Sequence, residues 1–320
     1  MKTSFLNHKQ LPVVSEIAEG HESISTADAL IDLCRRHRDL LHRQLLRSGA
    51  LLLRGCPALT ASDFGRFVRE FSGRDLIDYV GGASPRVKLG AGVYTSTEYP
   101  PTYTLSLHNE LSYTYRWPDH LFFYCATVAG QGGETLLGNS RAILKGIDEQ
   151  VVREFKRRRI KYVRNLHGGT GSGYSWQEAF ETDDQSRVEA YCRAGEVRFK
   201  WRTDGGLTLS EVRPATALHP VTGEEVWFNQ ADGFHPSALD RATYDLLIAT
   251  MKEEEFRLNS YYGDGAALDL AALNHARAVM RQETVLVAWR AGDILILDNL
   301  LTAHGRMPFT GTRRILLAMT

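Results

Sequence analysis

Four short runs constrain this chain most: Ala50-Leu51-Leu52-Leu53-Arg54, Leu121-Phe122-Phe123-Tyr124-Cys125, Ile294-Leu295-Ile296-Leu297 and Ile315-Leu316-Leu317-Ala318-Met319. Consecutive apolar residues in so short a run suit an extended segment covered on both faces. They read as buried strands. Further strands are expected at 207–212, 225–228 and 284–289. At the front of the chain the pattern is helical. Ser25-Thr26 can cap a helix over 28–47 that carries Leu30, Leu33, Cys34, Leu40, Leu41 and Leu45. Thr60-Ala61-Ser62-Asp63 caps a second helix with Phe64, Phe67, Val68 and Phe71 on one face. Residues 1–20 read as irregular. Ser140 and Asp148 each begin a helix, and two more are expected near 237–251 and 268–282. Helical patches at 176–180 and 186–192 interrupt the strand pattern, so 165–206 reads as an insertion able to act as a lid. The expected fold is mainly β with helices: a double-stranded β-helix (jelly-roll) core, N-terminal helices and a helical lid-like insertion. All 320 residues read as one domain.

Charge excludes some partners. Lys plus Arg equals Asp plus Glu, at 38 each, so no net field draws the chain to nucleic acid or to an anionic membrane. The basic run Arg153, Lys156, Arg157, Arg158, Arg159, Lys161, Arg164 reads as a solvated face, with docking of an acidic protein as the lesser reading. Cys34, Cys56, Cys125 and Cys192 form no Cys-x-x-Cys pair, and a reducing cytoplasm is expected. No apolar leader and no run long enough to span a bilayer is apparent. Oligomeric state leaves no mark in the sequence.

The chemistry starts at His108-Asn109-Glu110. On a strand, side chains two apart share a face, about 6.6 Å apart at ~3.3 Å per residue, a span two ligands can close around one ion. Much later, Ile294-Leu295-Ile296-Leu297-Asp298-Asn299 leads to His304, placed to look into a barrel mouth. Two histidines and a carboxylate make a facial triad with three free metal positions, suited to non-haem Fe(II). Arg313-Arg314 opens a strand that is apolar on both faces, and a buried guanidinium there needs an anion. Alternation puts the two arginines on opposite faces, and the turn after His304 prevents parity from choosing between them. Gly130-Gln131-Gly132-Gly133 lacks the Gly-Lys-Ser/Thr of a phosphate loop and reads as a tight turn leaving Thr135 inward. The Gly-, Pro- and Tyr-rich stretch 73–100 is long enough to expect a functional loop.

Together His108-Asn109-Glu110, Gly132-Gly133-Glu134-Thr135, Asp298-Asn299 with His304, and Arg313-Arg314 resemble the TauD/TfdA family of Fe(II)- and 2-oxoglutarate-dependent dioxygenases, in its syringomycin-hydroxylase-like and clavaminate-synthase-like branch. Gly49 to Gly55, Trp117-Pro118 and Val226 to Gln230 extend the likeness along the chain. The resemblance implies His108, Glu110 and His304 as iron ligands and Thr135 as a contact to 2-oxoglutarate. It assigns the distal carboxylate of 2-oxoglutarate to Arg314. With O2 as the second co-substrate, it implies oxidation of an unactivated C–H bond, most simply hydroxylation. The substrate would be amino-acid-like, either free or tethered to a carrier protein, in natural-product (antibiotic) biosynthesis. Glu110 argues against halogenation, and Ala318, four residues past Arg314, argues against taurine. Asn109, Tyr113, Arg116, Asn229, Gln230 and Arg306 are candidate substrate contacts, with ordinary structural hydrogen bonding as the alternative for each. A zinc hydrolase would need a general base and has no use for the inward arginine. A non-catalytic jelly-roll binding protein would not need the whole set.

Overall fold

The computed structural model describes residues 2–17, 24–171 and 173–320. All four apolar runs lie side by side in the middle of an eight-stranded sheet. Its order is Lys2–Phe5, Val13–Glu16, Ala50–Arg54, Ile294–Asp298, His120–Thr127, Arg314–Met319, Val93–Thr95, Lys88–Gly90. Val13–Glu16 runs parallel to Ala50–Arg54 and the other neighbours pair antiparallel. Alternation sorts the side chains into two cores. Leu52, Leu121, Phe123, Leu295, Leu297, Ile315 and Leu317 face inward. Leu51, Leu53, Phe122, Tyr124, Ile294, Ile296, Leu316 and Ala318 face the N-terminal helices. Double burial is why these runs show no polar alternation.

Opposite the inward face lies a four-stranded antiparallel sheet, ordered Val285–Val287, Thr135–Asn139, Thr302–Arg306, Leu105–His108. Leu107, Leu137, Ala303, Val285 and Val287 join the same core. The expected jelly-roll double sheet is therefore present. Gly305 has no room for a side chain: a Cβ there would meet the Leu105 carbonyl at 2.3 Å.

The outer layer holds helices Ala27–Arg36, Arg38–Ser48 and Ala61–Ser72. Thr60 and Asp63 form the expected capping box on the third, which buries Phe64, Phe67, Val68 and Phe71. Each such side chain contributes about 1.5–3 kcal/mol on burial. The single helix expected over 28–47 is broken at His37 (φ −106°, ψ 15°). The polar run Arg35 to Asp39 offers no apolar side chain to hold that turn on the sheet. The N-terminal stretch expected to be irregular instead supplies Lys2–Phe5 and Val13–Glu16, Val13 and Val14 being buried, while residues 1 and 18–20 lie outside the described residues.

A second antiparallel sheet stands beside this core, ordered Arg198–Trp201, Leu207–Arg213, Ile160–Leu166, Leu258–Tyr262. Helices Trp176–Phe180 and Gln185–Ala194 pack on it through Trp176, Phe180, Val188 and Cys192. The 165–206 segment is thus knit to strands on either side of it. It backs the 73–100 loop: the Gly81 amide donates to the Ala179 carbonyl at 2.7 Å. The basic run divides here. Arg153, Arg157 and Arg158 pair with acids on the surface, but Arg164 is 1% exposed, contrary to the expected wet face. It pairs with Glu211 at 3.0 Å and donates to the carbonyls of Gly81 and Gly82. Among the described residues no helix is long and apolar enough to cross a membrane.

Candidate metal centre

His304 sits in the middle of Thr302–Arg306, directly opposite His108 at the end of Leu105–His108. That cross-strand register brings the ring centroids to 4.4 Å. Glu110 arrives differently from the expected strand spacing. The strand stops at His108, and the chain turns through Leu111 at φ 55°. Asn299 holds this turn. Its Oδ1 accepts from the Glu110 amide at 2.8 Å, and its Nδ2 donates to the carbonyls of Glu110 and Pro118 at 3.0 and 2.9 Å. Asp298 secures the other side, accepting from the amides of Leu300 and Leu301 and from His219 Nε2 at 2.9 Å.

One ligating atom each from His108, Glu110 and His304 lies within 4.8 Å of the others. Glu110 Oε2 stands 3.8 Å from His304 Nε2. His108 Nδ1 is 2.9 Å from the Ser106 carbonyl, which fixes the proton there and leaves the Nε2 lone pair free. Burial, then His108 and Arg86, hold the His304 imidazole well below its usual pKa, in the neutral form that ligates. The buried His304 Nδ1 has no protein partner. Two imidazoles that line a cavity and a carboxylate beside them fit a divalent cation with positions to spare.

The cavity is also lined by Arg86, Ser96, Thr97, Leu105, Phe123, Thr135, Gly305, Arg306 and Arg313. Thr135 is buried, and its Oγ1 accepts from Trp289 Nε1 at 3.0 Å, so its own proton is free to point elsewhere. Arg313 donates from Nε to the Gly133 carbonyl at 3.2 Å and from Nη1 to Ser96 Oγ at 3.3 Å. Burial and neighbouring Arg306 push its pKa down to about 10, which leaves it cationic at neutral pH. Arg86 donates from Nη2 to Glu110 Oε2 at 2.6 Å, both side chains being 3% exposed, and lies over the Tyr79 ring at 4.4 Å. Burial opposes its charge, but Glu110 and Tyr79 outweigh burial and hold the guanidinium above its ordinary pKa.

Two expectations need correction. Arg314, assigned to 2-oxoglutarate by resemblance, is exposed, while Arg313 lines the cavity. Arg313 shares parity with inward Ile315 and Leu317; Arg314 shares it with helix-facing Leu316 and Ala318. The residue four past the inward arginine is accordingly Leu317, not Ala318, and it too is apolar. Of the candidate substrate contacts, only Arg306 reaches the cavity. Asn109 is spent on Ser140 Oγ and the Asn299 carbonyl, Asn229 on Ala215 and Ala231, and Gln230 on the Asn109 carbonyl. Tyr113 is buried against Tyr162 and Phe234, and Arg116 is exposed over Tyr115. Sequence reasoning flagged the 73–100 loop but missed Arg86 within it. A lone arginine in a Pro- and Gly-rich loop carries no periodic signal.

Residues 16–320 match the family described as "Taurine catabolism dioxygenase TauD, TfdA family". The chain is 36% identical to the dapdiamide synthesis protein DdaC of Enterobacter agglomerans, over 92% of this chain and 88% of that one. It is 30% identical to a clavaminate synthase-like protein of Arabidopsis thaliana, over 89% and 85%. The crystal structure of PvcB from Pseudomonas aeruginosa superposes with a TM-score of 0.54 at 16% identity, over 96% of this chain and 84% of that one, and so shares the fold. The protein belongs to the TauD/TfdA family of Fe(II)- and 2-oxoglutarate-dependent dioxygenases.

Proposed function

We propose that His108, Glu110 and His304 hold the iron and that Arg313 and Thr135 receive the far carboxylate of 2-oxoglutarate. The enzyme then hydroxylates an unactivated C–H bond of an amino-acid-like small molecule, free or carrier-tethered, in natural-product biosynthesis in the cytoplasm. Iron, 2-oxoglutarate and O2 supply the oxidising chemistry when bound; the chain supplies geometry and dryness. Its histidines are oriented by strand register and by the Ser106 carbonyl. The planar fork of Arg313 matches a carboxylate, and the Thr135 hydroxyl, fixed by Trp289, can donate a further hydrogen bond. Leu105 and Phe123 give the cavity an apolar wall against water.

One observation carries the reading: His108 and His304 line the same cavity as the half-buried Arg313, and Glu110 completes the ligand cluster beside them. Likeness to a dapdiamide synthesis protein supports natural-product biosynthesis as the setting. The four buried, unpaired cysteines accord with a reducing compartment. The test is anaerobic addition of Fe(II) and then 2-oxoglutarate, which should raise the visible charge-transfer band of a chelated keto acid. Free amino acids and their carrier thioesters are then screened for accelerated 2-oxoglutarate consumption. A folded protein that binds iron without developing the band would overturn the ligand assignments. Acceleration only by compounds unrelated to amino acids would overturn the substrate class.

A further inference from the structure

We propose that Arg86 is the residue that selects the substrate, by binding a carboxylate on it beside the metal centre; this rests on the oxygenase reading of the same cavity. Among the described residues, three arginine side chains meet a carboxylate in the interior. Arg54 has Asp293 and Arg164 has Glu211, and neither acid belongs to the metal centre. Arg86 has only Glu110, a carboxylate the iron must share. Its Nε is buried without a partner, so the guanidinium is under-satisfied even before any cation arrives. Arg306 also has a buried, unpartnered Nε, but both its Nη atoms are held by the carbonyls of Tyr99, Pro100 and Tyr103.

Formal charge points the same way. A divalent cation, the Glu110 carboxylate, the two carboxylates of 2-oxoglutarate and the Arg313 guanidinium cancel. Two arginines of the cavity wall are left over: Arg306, whose two Nη atoms are held by three backbone carbonyls, and Arg86, 3% exposed, whose one bonded acid is the metal ligand itself. An uncompensated buried charge is costly, and a substrate carboxylate removes that cost. Tyr79 lies against the guanidinium, 4.4 Å from its central carbon to the ring centroid, and the planar fork suits a planar, two-oxygen partner. The selected substrate is therefore an organic acid at the Arg86 end. A compound tethered through its own carboxyl as a thioester would have to carry a second one.

The test uses the anaerobic Fe(II)·2-oxoglutarate enzyme and matched probes: a panel of N-acetyl amino acids and the corresponding N-acetyl amino acid amides. Perturbation of the charge-transfer band reports binding next to the metal. In the unaltered enzyme the best acid should bind at least about tenfold tighter than its amide, as expected for one charge-assisted hydrogen bond. Arg86→Gln should reduce that ratio to near one, and Arg86→Lys should restore part of it. The band itself should still form in both variants, which shows that they fold and load. Equal binding of acids and amides, an acid preference that survives Arg86→Gln, or no acid that perturbs the band overturns the proposal. Failure of the band to form in the unaltered enzyme is a different result and counts against the oxygenase site itself.

Discussion

Arg313 and Arg314 are adjacent, both cationic, and assigned opposite fates, so replacing each by leucine separates a binding residue from a surface one. An Arg–carboxylate fork makes two charge-assisted hydrogen bonds, each about 1.5–3 kcal/mol. Part of that returns when Arg313 leaves its long contacts at 3.2 and 3.3 Å to Gly133 and Ser96. A net loss of about 3 kcal/mol, roughly 150-fold in Kd for 2-oxoglutarate, is the working magnitude for Arg313→Leu. Arg314→Leu, at an exposed site, should stay within about twofold. Iron affinity without co-substrate should hardly move in either, since neither side chain bonds His108, Glu110 or His304. Burial already disfavours the Arg313 charge, so its removal should leave the melting temperature level or slightly raised. The assay is titration of the charge-transfer band with 2-oxoglutarate at saturating Fe(II), beside a metal titration without it. A larger defect in Arg314→Leu, or equal loss of iron and 2-oxoglutarate in Arg313→Leu, would refute the assignment.

Asn299→Ala removes three buried hydrogen bonds, two to the Glu110 backbone and one to Pro118, so metal affinity should drop at least tenfold and stability by about 3 kcal/mol. Metal titration and urea unfolding check this, and unchanged metal affinity would show that Glu110 is placed without Asn299. Breaking the Arg164–Glu211 pair by Glu211→Leu should cost about 3–5 kcal/mol, because it strands a buried guanidinium. Replacing both partners with apolar residues should cost clearly less by the same unfolding measurement. Burial pushes the thiols of Cys34 and Cys125 up to about 12 and that of Cys192 to about 11, and it raises Cys56 as well. Iodoacetamide at pH 8 should leave the native protein unlabelled by mass spectrometry and modify four sites once it is denatured.

The apolar runs made the central strands legible because their pattern is local: five consecutive buried residues leave few alternatives. The helix over 61–72 was equally plain, with its capping box and aromatic stripe in one window. His108, Glu110 and His304 could be paired in the sequence through the chemistry of their side chains, but the placement of Glu110 could not. It depends on Asn299, nearly two hundred residues away, and on a turn rather than a strand. The choice between Arg313 and Arg314 failed for a related reason. Both faces of Arg314–Met319 are apolar, so nothing in the run says which face meets the cavity. Arg164 sat in a basic run, and its burial depends on Glu211 meeting it across a sheet that no local pattern announces.

The bonds from Arg164 to the carbonyls of Gly81 and Gly82 tie the flanking sheet to the loop that carries Arg86. Exchanging that loop alone for one from a relative, in the hope of changing which molecule is accepted, would leave a charged side chain pointing at whatever backbone replaced those glycines. Sheet and loop therefore form one transplantable unit. A chimera designed to retarget the enzyme should move both together, with Glu211 included.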